Sequence, residues 1–365
     1  MTEPSFQHGG NIARAARKYG ISEKAVLDFS ASINPLGPAP GVYQAIMEEF
    51  WRIRHYPDPD CGELPLLLAG HLGVGRENLL LGNGGAELIY ILPRAVKIDR
   101  ALVLAPTFSE YAMAVEAAGG RVQYLTLRPD GMFSPEEIAR QLPGCNAVFL
   151  CNPNNPTGQA FNLSALLPLL DAAEREGVTV VVDEAFMDFV PDRESYSLMP
   201  LACTRPGLVA LYSMTKFFGI PGLRLGAAVA RPETIARLKK VKDPWSVNTL
   251  ARVAGEAALK DRKHMADTLK MVQEEREYLF TALSTIPGVK PFPSGANFLL
   301  VGISGTGMAS SELVERTGRQ GVLVRDCANF HGLDSGYIRV AVRSREENNA
   351  LIEALRRAVS GEGGL

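Results

Sequence analysis

"VTVVVDEAF" (residues 178–186) opens on a run of β-branched residues and breaks off at Asp183. Short valine-rich runs of this kind read as strands buried on both faces. The same texture recurs in "ALVLA" (101–105), "VQYLTL" (122–127), "AVFLC" (147–151), "GLVALY" (207–212) and "LGAAVA" (225–230). Amphipathic segments at 109–118 and 163–176 lie between several of these runs. Strands alternating with helices predict right-handed crossovers and a mostly parallel sheet sandwiched by helices, an α/β architecture.

Beyond about residue 231 the pattern changes. Long helical stretches are expected over 231–285. Strands follow at "NFLLV" (297–301), "GVLVR" (321–325) and "YIRVAV" (337–342), and a helix at "REENNALIEALRRAV" closes the chain. This reads as a smaller α+β domain. The expected division is an N-terminal arm (1–35) lying with the small domain, a large domain (36–235) and a small domain (236–365), with "SGEGGL" as a frayed tail.

Composition excludes several classes. The 365 residues are 46% hydrophobic and 21% charged with a net charge of −2, so a large core is available and no nucleic-acid footprint stands out. Five scattered cysteines form no C-x-x-C pair, which argues against a disulfide framework or a metal site and suits a reducing cytoplasm. "MTEPSFQHGG" has no apolar signal-like region and no run approaches a membrane span, so a cytoplasmic protein without membrane partners is expected.

In open α/β sheets, ligands bind beyond the carboxyl ends of the strands, and the motifs fall there. Asp183 follows "VTVVV"; "CNPNNPTG" (151–158) follows "AVFLC"; "PTFSEY" (106–111) follows "ALVLA". "LGNGGAELIY" (81–90) opens a helix, and "SMTKFFGIPGLRLG" (213–226) carries Lys216 between Ser213 and Arg224. Each has an ordinary reading alone: helix cap, proline-stiffened turn, core tyrosine, glycine turn, surface lysine. Together they supply what pyridoxal phosphate requires. Its aldehyde needs a lysine and its ring nitrogen a carboxylate, while its phosphate needs N–H donors, a hydroxyl and a guanidinium.

The order G-x-x-x-E, P-T-F-x-x-Y, N-P-N-N-P-T-G, D-E-A-F, S-x-T-K, G-L-R-L-G resembles the aspartate-aminotransferase-like, fold type I pyridoxal-phosphate enzymes along nearly the whole chain. The resemblance implies that Lys216 is the Schiff-base lysine and Asp183 the partner of the pyridine nitrogen. Asn155 then bonds the ring 3′-oxygen and Tyr111 stacks on the ring. Gly85, Ala86, Ser213 and Arg224 match the phosphate-binding positions. Tyr56, in "HYPDPD", resembles the tyrosine that reaches the cofactor of the neighbouring subunit, which implies a homodimer. Many relatives carry tyrosine where this chain has Phe186, so a hydroxyl that tunes the Schiff base is missing here.

For the substrate, Arg339 in "YIRVAVRSREEN" matches the family's carboxylate-binding arginine, and Arg325 in "VLVRDCANFHGL" suits a second anion such as a phosphate. "HGGN" (8–11) and "DFSASINPLGP" (28–38) resemble a loop covering the site, which makes His8, Ser32 and Asn34 substrate-binding candidates. His8 reads equally well as an ordinary surface histidine.

Two groups of enzymes share these motifs. Histidinol-phosphate aminotransferases carry most of them. Threonine-phosphate decarboxylases of cobalamin synthesis match "HGGN", "DFSASINPLGP", "DEAFMDF", "RDCANF" and "IRVAVRSREEN" more closely. The resemblance therefore implies decarboxylation of L-threonine O-3-phosphate to (R)-1-amino-2-propanol O-2-phosphate, with histidinol-phosphate amino transfer as the alternative. Serine phosphate as substrate, and a non-catalytic pyridoxal-phosphate protein, stay open. A nucleotide-binding protein using "GNGGAE" would leave Lys216, Asp183 and "NPNNPTG" unexplained.

Overall fold

The computed structural model describes residues 8–127 and 134–361. Most of the expected "SGEGGL" tail and the first seven residues of the N-terminal stretch lie outside them. Strands β1 to β8, in chain order, are Leu27–Asp28, Leu79–Gly82, Arg100–Ala105, Arg121–Thr126, Ala147–Cys151, Thr179–Asp183, Leu208–Ser213 and Gly226–Ala230. Strands β9 to β13 are Lys290–Pro291, Phe298–Gly302, Val322–Leu323, Arg325–Asp326 and Tyr337–Ala341.

The principal sheet has seven strands in the order β2-β8-β7-β6-β5-β3-β4. Pairing is parallel from β7 through β4, and β8 is antiparallel to both its neighbours. The alternating β–helix pattern predicts this sheet, and all six of its anticipated strands form. Strand β2 was read only as a glycine turn. Its apolar Leu79, Leu80 and Leu81 run straight into that turn with no polar boundary to separate strand from turn.

Period-two alternation sends neighbouring side chains to opposite faces. Leu102, Leu104, Val180, Val182 and Ala210 join one buried cluster. Val103, Val181, Val209 and Leu211 join Leu88, Leu92 and Tyr111 in another. The helix Leu163–Glu176 covers the first face through Leu166, Leu169 and Leu170, and the helix Gly84–Val96 covers the second. From β2 to β3 the strands are buried on both faces, as a mostly parallel sheet requires, whereas β4, expected from "VQYLTL" to be buried too, is largely exposed because it is the edge strand.

A four-stranded antiparallel sheet, β12-β13-β10-β9, lies beyond the helices Pro232–Val241, Thr249–Lys260 and Arg262–Leu283. The run 321–325, expected as one strand, is divided. Strand β11 pairs in parallel with β1, whereas β12 pairs antiparallel with β13. The break at Val324 transfers the chain from one partner to the other and sets Arg325 directly opposite Arg339. The closing helix Arg345–Ser360 begins in a capping box formed by Ser344 and Glu347 and ends at Gly361, whose φ is 79°. Among the described residues, no helix is long and apolar enough to cross a membrane, and no cluster of His, Cys, Asp or Glu is suited to a metal ion.

Candidate active site

Cys151, Asp183 and Ser213 end the adjacent strands β5, β6 and β7, and all three line one cavity of about 240 Å³. Where parallel strands stop together, their last side chains and the following loops enclose a crevice. Lys216 stands two residues into the short helix Met214–Phe217, capped by Ser213, whose hydroxyl accepts from the Thr215 N–H. The cap turns the chain sharply after β7 and brings the lysine back over the strand ends.

Asp183 is buried, and among the described residues its carboxylate accepts two hydrogen bonds. The Tyr111 hydroxyl donates to Oδ2 at 2.8 Å and the Ala185 N–H to Oδ1 at 3.0 Å. Burial raises its pKa; those two hydrogen bonds and the charge of Lys216 oppose the rise. Lys216 is pushed down to about 8, first by burial and then by the positive charges of Arg339 and Arg224, with Asp183 opposing. A lysine near 8 offers a substantial fraction of neutral, nucleophilic amine at neutral pH.

The glycine turn and the "GLRLG" loop meet at one end of the cavity. Gly84 has φ +75°, and a Cβ there would lie 2.6 Å from Arg224 Nη2. Arg224 itself has φ 59°, a left-handed conformation that turns it toward the start of the helix Gly84–Val96. Gly85 and Ala86 at that helix start, Ser213 and Arg224 together line the cavity. Backbone N–H groups, a helix dipole, a hydroxyl and a guanidinium form an anion cradle.

The opposite wall is cationic. Arg325 and Arg339 face each other across β12 and β13, and both are buried. Arg339 donates through Nη1 to Asn155 Oδ1 and through Nη2 to the Ser30 carbonyl at 2.9 Å, while its Nε has no partner among the described residues. Its guanidinium lies over the Phe298 ring at 5.0 Å. Burial lowers its pKa to about 10. Arg325 donates to Asn329 Oδ1 at 2.8 Å and lies over the Phe330 ring at 5.2 Å. Ser32 also lines the cavity, buried, and its hydroxyl has no partner among the described residues. Buried donors left without partners are costly unless a ligand completes them.

Asn155 is displayed by its own loop. Asn154 is fixed by the Thr107 hydroxyl and by the Pro106 carbonyl, so the next residue projects into the cavity. His8 also lines the cavity.

The cavity thus gathers Lys216, Asp183, Gly85, Ala86, Tyr111, Asn155, Ser213, Arg224, Arg325, Arg339, His8 and Ser32. Two anticipated residues are elsewhere. Asn34 is buried outside the cavity, donating to the Phe217 carbonyl and the Thr268 hydroxyl while its N–H takes the Lys216 carbonyl. It ties the arm to the lysine-bearing turn. Tyr56 is 82% exposed and packs on Trp245 with ring centroids 5.1 Å apart. Tyr111 lines the cavity, but it is fully buried and stacked on Phe149 at 5.5 Å. Phe108, which the sequence reading passed over, is the half-buried aromatic of that wall. It is the third residue of the same "PTF" motif, so the signal was present. Ser30, Asn329 and Phe330 were also missed, although they sit in motifs quoted for other residues.

The residues fit pyridoxal phosphate. One end offers an anion cradle, the floor holds a buried carboxylate, and a half-buried amine lies between two cationic walls. When bound there, the cofactor would be held by Lys216 through its aldehyde, by Asp183 through its ring nitrogen and by the Gly85–Ala86 turn, Ser213 and Arg224 through its phosphate. Phe186 contributes no hydroxyl and packs edge-on against Phe298 at 5.0 Å.

Comparison with known proteins agrees with this geometry. The family description "Aminotransferase class I and II" matches residues 24–355. The chain is 38% identical over 357 residues to a threonine-phosphate decarboxylase of Salmonella typhimurium, covering 97% of each chain. It is 37% identical to a histidinol-phosphate aminotransferase of Moorella thermoacetica, covering 95% of this chain and 89% of that one. Among solved structures it resembles the L-threonine-O-3-phosphate decarboxylase of Porphyromonas gingivalis with a TM-score of 0.81 and 28% identity, over 92% of this chain and 100% of the other. With a strand-end cavity whose lining suits pyridoxal phosphate, the chain belongs to the class I and II aminotransferase family.

Proposed function

We propose that this protein decarboxylates L-threonine O-3-phosphate, releasing CO₂ and (R)-1-amino-2-propanol O-2-phosphate for cobalamin biosynthesis, and that it works as a cytoplasmic homodimer. The observation that carries the reading is the pair Arg325 and Arg339, buried opposite one another on one cavity wall. A substrate with one carboxylate needs one such clamp. Two suit a substrate with a second anion, and a planar guanidinium binds carboxylate or phosphate through two N–H groups.

The bound cofactor supplies an electron sink for the pair left behind when a bond to the substrate's α-carbon breaks. The chain does the rest. Asp183, held by Tyr111, would partner the ring nitrogen through its carboxylate. Arg339 takes the substrate carboxylate with its unpartnered Nε, already fixed in orientation by Asn155 and Ser30. Arg325 takes the phosphate. Lys216, with a pKa of about 8, would hold a proton that it can deliver to the substrate's α-carbon at neutral pH.

A second reading, amino transfer from histidinol phosphate, is favoured by the Moorella relative at nearly equal identity. Holoenzyme given L-threonine O-phosphate without any keto acid separates the two. Stoichiometric CO₂ supports decarboxylation. No CO₂, with glutamate formed from histidinol phosphate and 2-oxoglutarate, would replace it.

The exposed Tyr43, Met47, Trp51, Tyr56 and Trp245 support the homodimer, since such apolar surface is unusual on a monomer. Sedimentation of the holoenzyme as a monomer would rule it out. The separate seven- and four-stranded sheets, and the pairing of β1 with β11, support a large domain over 36–235 and a small domain over 236–365 with the arm attached to it.

A further inference from the structure

Arg339 leans on the Ser30 carbonyl, and Ser30 is in turn held by a carboxylate outside the cavity. The Ser30 N–H donates to Asp28 Oδ1 at 2.8 Å, and the Ser30 hydroxyl donates to the same oxygen at 2.6 Å. An aspartate that takes the N–H two residues ahead of it closes a local turn. Both donors of Ser30 are engaged on Asp28, which leaves its carbonyl to accept from Arg339 Nη2 at 2.9 Å. Asp28 is buried and is not among the residues that line the cavity.

The backbone on the near side of this turn is also fixed. The Phe29 N–H donates to the Leu323 carbonyl at 2.8 Å, and the Phe29 carbonyl accepts from the Ala341 N–H at 2.9 Å. Arg343 Nη1 donates to the Asp28 carbonyl at 3.2 Å. Phe29 therefore joins the end of β11 to the end of β13, the strand that carries Arg339. Against this fixed frame, the direction of the Ser30 carbonyl is set by the turn that Asp28 closes. The negative charge of Asp28 also favours the charged form of Arg339 against the effect of burial. A guanidinium grips a carboxylate through two N–H groups only when its plane is correctly turned, so the residues that hold the plane matter to binding.

We propose that Asp28 is a positioning residue that, through Ser30, holds the Arg339 guanidinium in the orientation that receives the substrate carboxylate, a role that rests on the reading of Arg339 as the carboxylate clamp. Removing the Asp28 side chain frees Ser30 and leaves Asn155, Lys216 and the anion cradle untouched.

The test uses holoenzyme of the wild type, Asp28→Ala, Asp28→Asn, Arg339→Met and the Asp28→Ala/Arg339→Met double variant. Each is titrated, by cofactor absorbance, with L-alanine, which has a carboxylate and no phosphate, and with O-phosphoethanolamine, which has a phosphate and no carboxylate. Asp28→Ala should weaken L-alanine about tenfold and leave O-phosphoethanolamine within about twofold. Asp28→Asn keeps an oxygen for both Ser30 donors and should bind L-alanine within about threefold of wild type. The double variant should lose no more L-alanine affinity than Arg339→Met alone, because Asp28 acts through the arginine. Four results would each overturn the role: equal weakening of both ligands by Asp28→Ala, unchanged L-alanine affinity in that variant, a loss as large in Asp28→Asn, or a further loss in the double variant. Arg339→Met judges the clamp reading separately. If it weakens both ligands alike, the clamp reading fails and takes the role of Asp28 with it; if it is selective and Asp28→Ala is not, the role of Asp28 alone fails.

Discussion

The hydroxyl of Tyr111 donates to Asp183 Oδ2 at 2.8 Å in the buried floor of the cavity. With the Ala185 N–H and the charge of Lys216, this bond opposes the rise in pKa that burial imposes on the carboxylate. Tyr111→Phe keeps the ring and its stack on Phe149. It leaves a buried carboxylate oxygen short of a donor, which costs about 1–3 kcal/mol of stability. Asp183 should rise further in pKa, and turnover should fall roughly tenfold. Urea unfolding and steady-state assays read both effects; a variant with wild-type stability and rate would remove this role from Tyr111.

Lys216, at about 8 instead of 10.5, sets a pH dependence for capture of the cofactor by apoprotein. Only the neutral amine attacks the aldehyde, so capture should rise about tenfold per pH unit below 8 and level off above it. Arg339→Met removes the more influential of the two positive charges that depress the lysine, and the midpoint should move up. Stopped-flow absorbance after mixing apoprotein with pyridoxal phosphate follows this directly. A wild-type midpoint near 10.5 would contradict the burial of Lys216.

The two arginines should separate by ligand group. Arg325→Gln should raise KM for a phosphorylated substrate about ten- to a hundredfold, the range for a hydrogen bond to a charged group, and alter affinity for unphosphorylated threonine little. Arg339→Lys should impair both, because an ammonium cannot hold Asn155, Ser30 and a carboxylate together. Equal losses for the two substrates in both variants would mean that the arginines do not divide the anions between them.

Gly84→Ala introduces a Cβ 2.6 Å from Arg224 Nη2 at a φ of +75° that side chains rarely adopt. The guanidinium must move out of the anion cradle. Cofactor should be lost on dialysis several times faster than from wild type, a loss of order 1 kcal/mol in binding. Retention at the wild-type rate would show that Arg224 is not crowded against this turn.

Much of the site was legible along the chain. Asp183 ends a strand, Asn155 and Lys216 follow strand ends within a few residues, and Arg224 stands just before β8, where apolar periodicity gives way to glycine, proline or a polar residue. Such boundaries are local and visible in a few consecutive residues. Tyr111 and Phe108 show the limit. They are three residues apart in one motif, and the sequence supports either as the aromatic wall. Only the packing of Tyr111 against Phe149 and Asp183 leaves Phe108 as the half-buried ring.

The sequence by itself determined the alternation of strands and helices, the strand ends that carry the chemistry, and the presence of a lysine, a carboxylate and an anion cradle in the right order. The tertiary structure decided which of the remaining side chains converge. Arg325 meets Arg339 because the chain changes partners at Val324, and a shift of one residue in that pairing would turn Arg325 to the other face. Asn34 leaves the cavity because the Phe217 carbonyl and Thr268 hydroxyl offer its amide partners in the core. His8 reaches Glu110 across 102 positions. Register, packing and closure between distant segments depend on the whole set of pairings at once, and no window of neighbouring residues contains them.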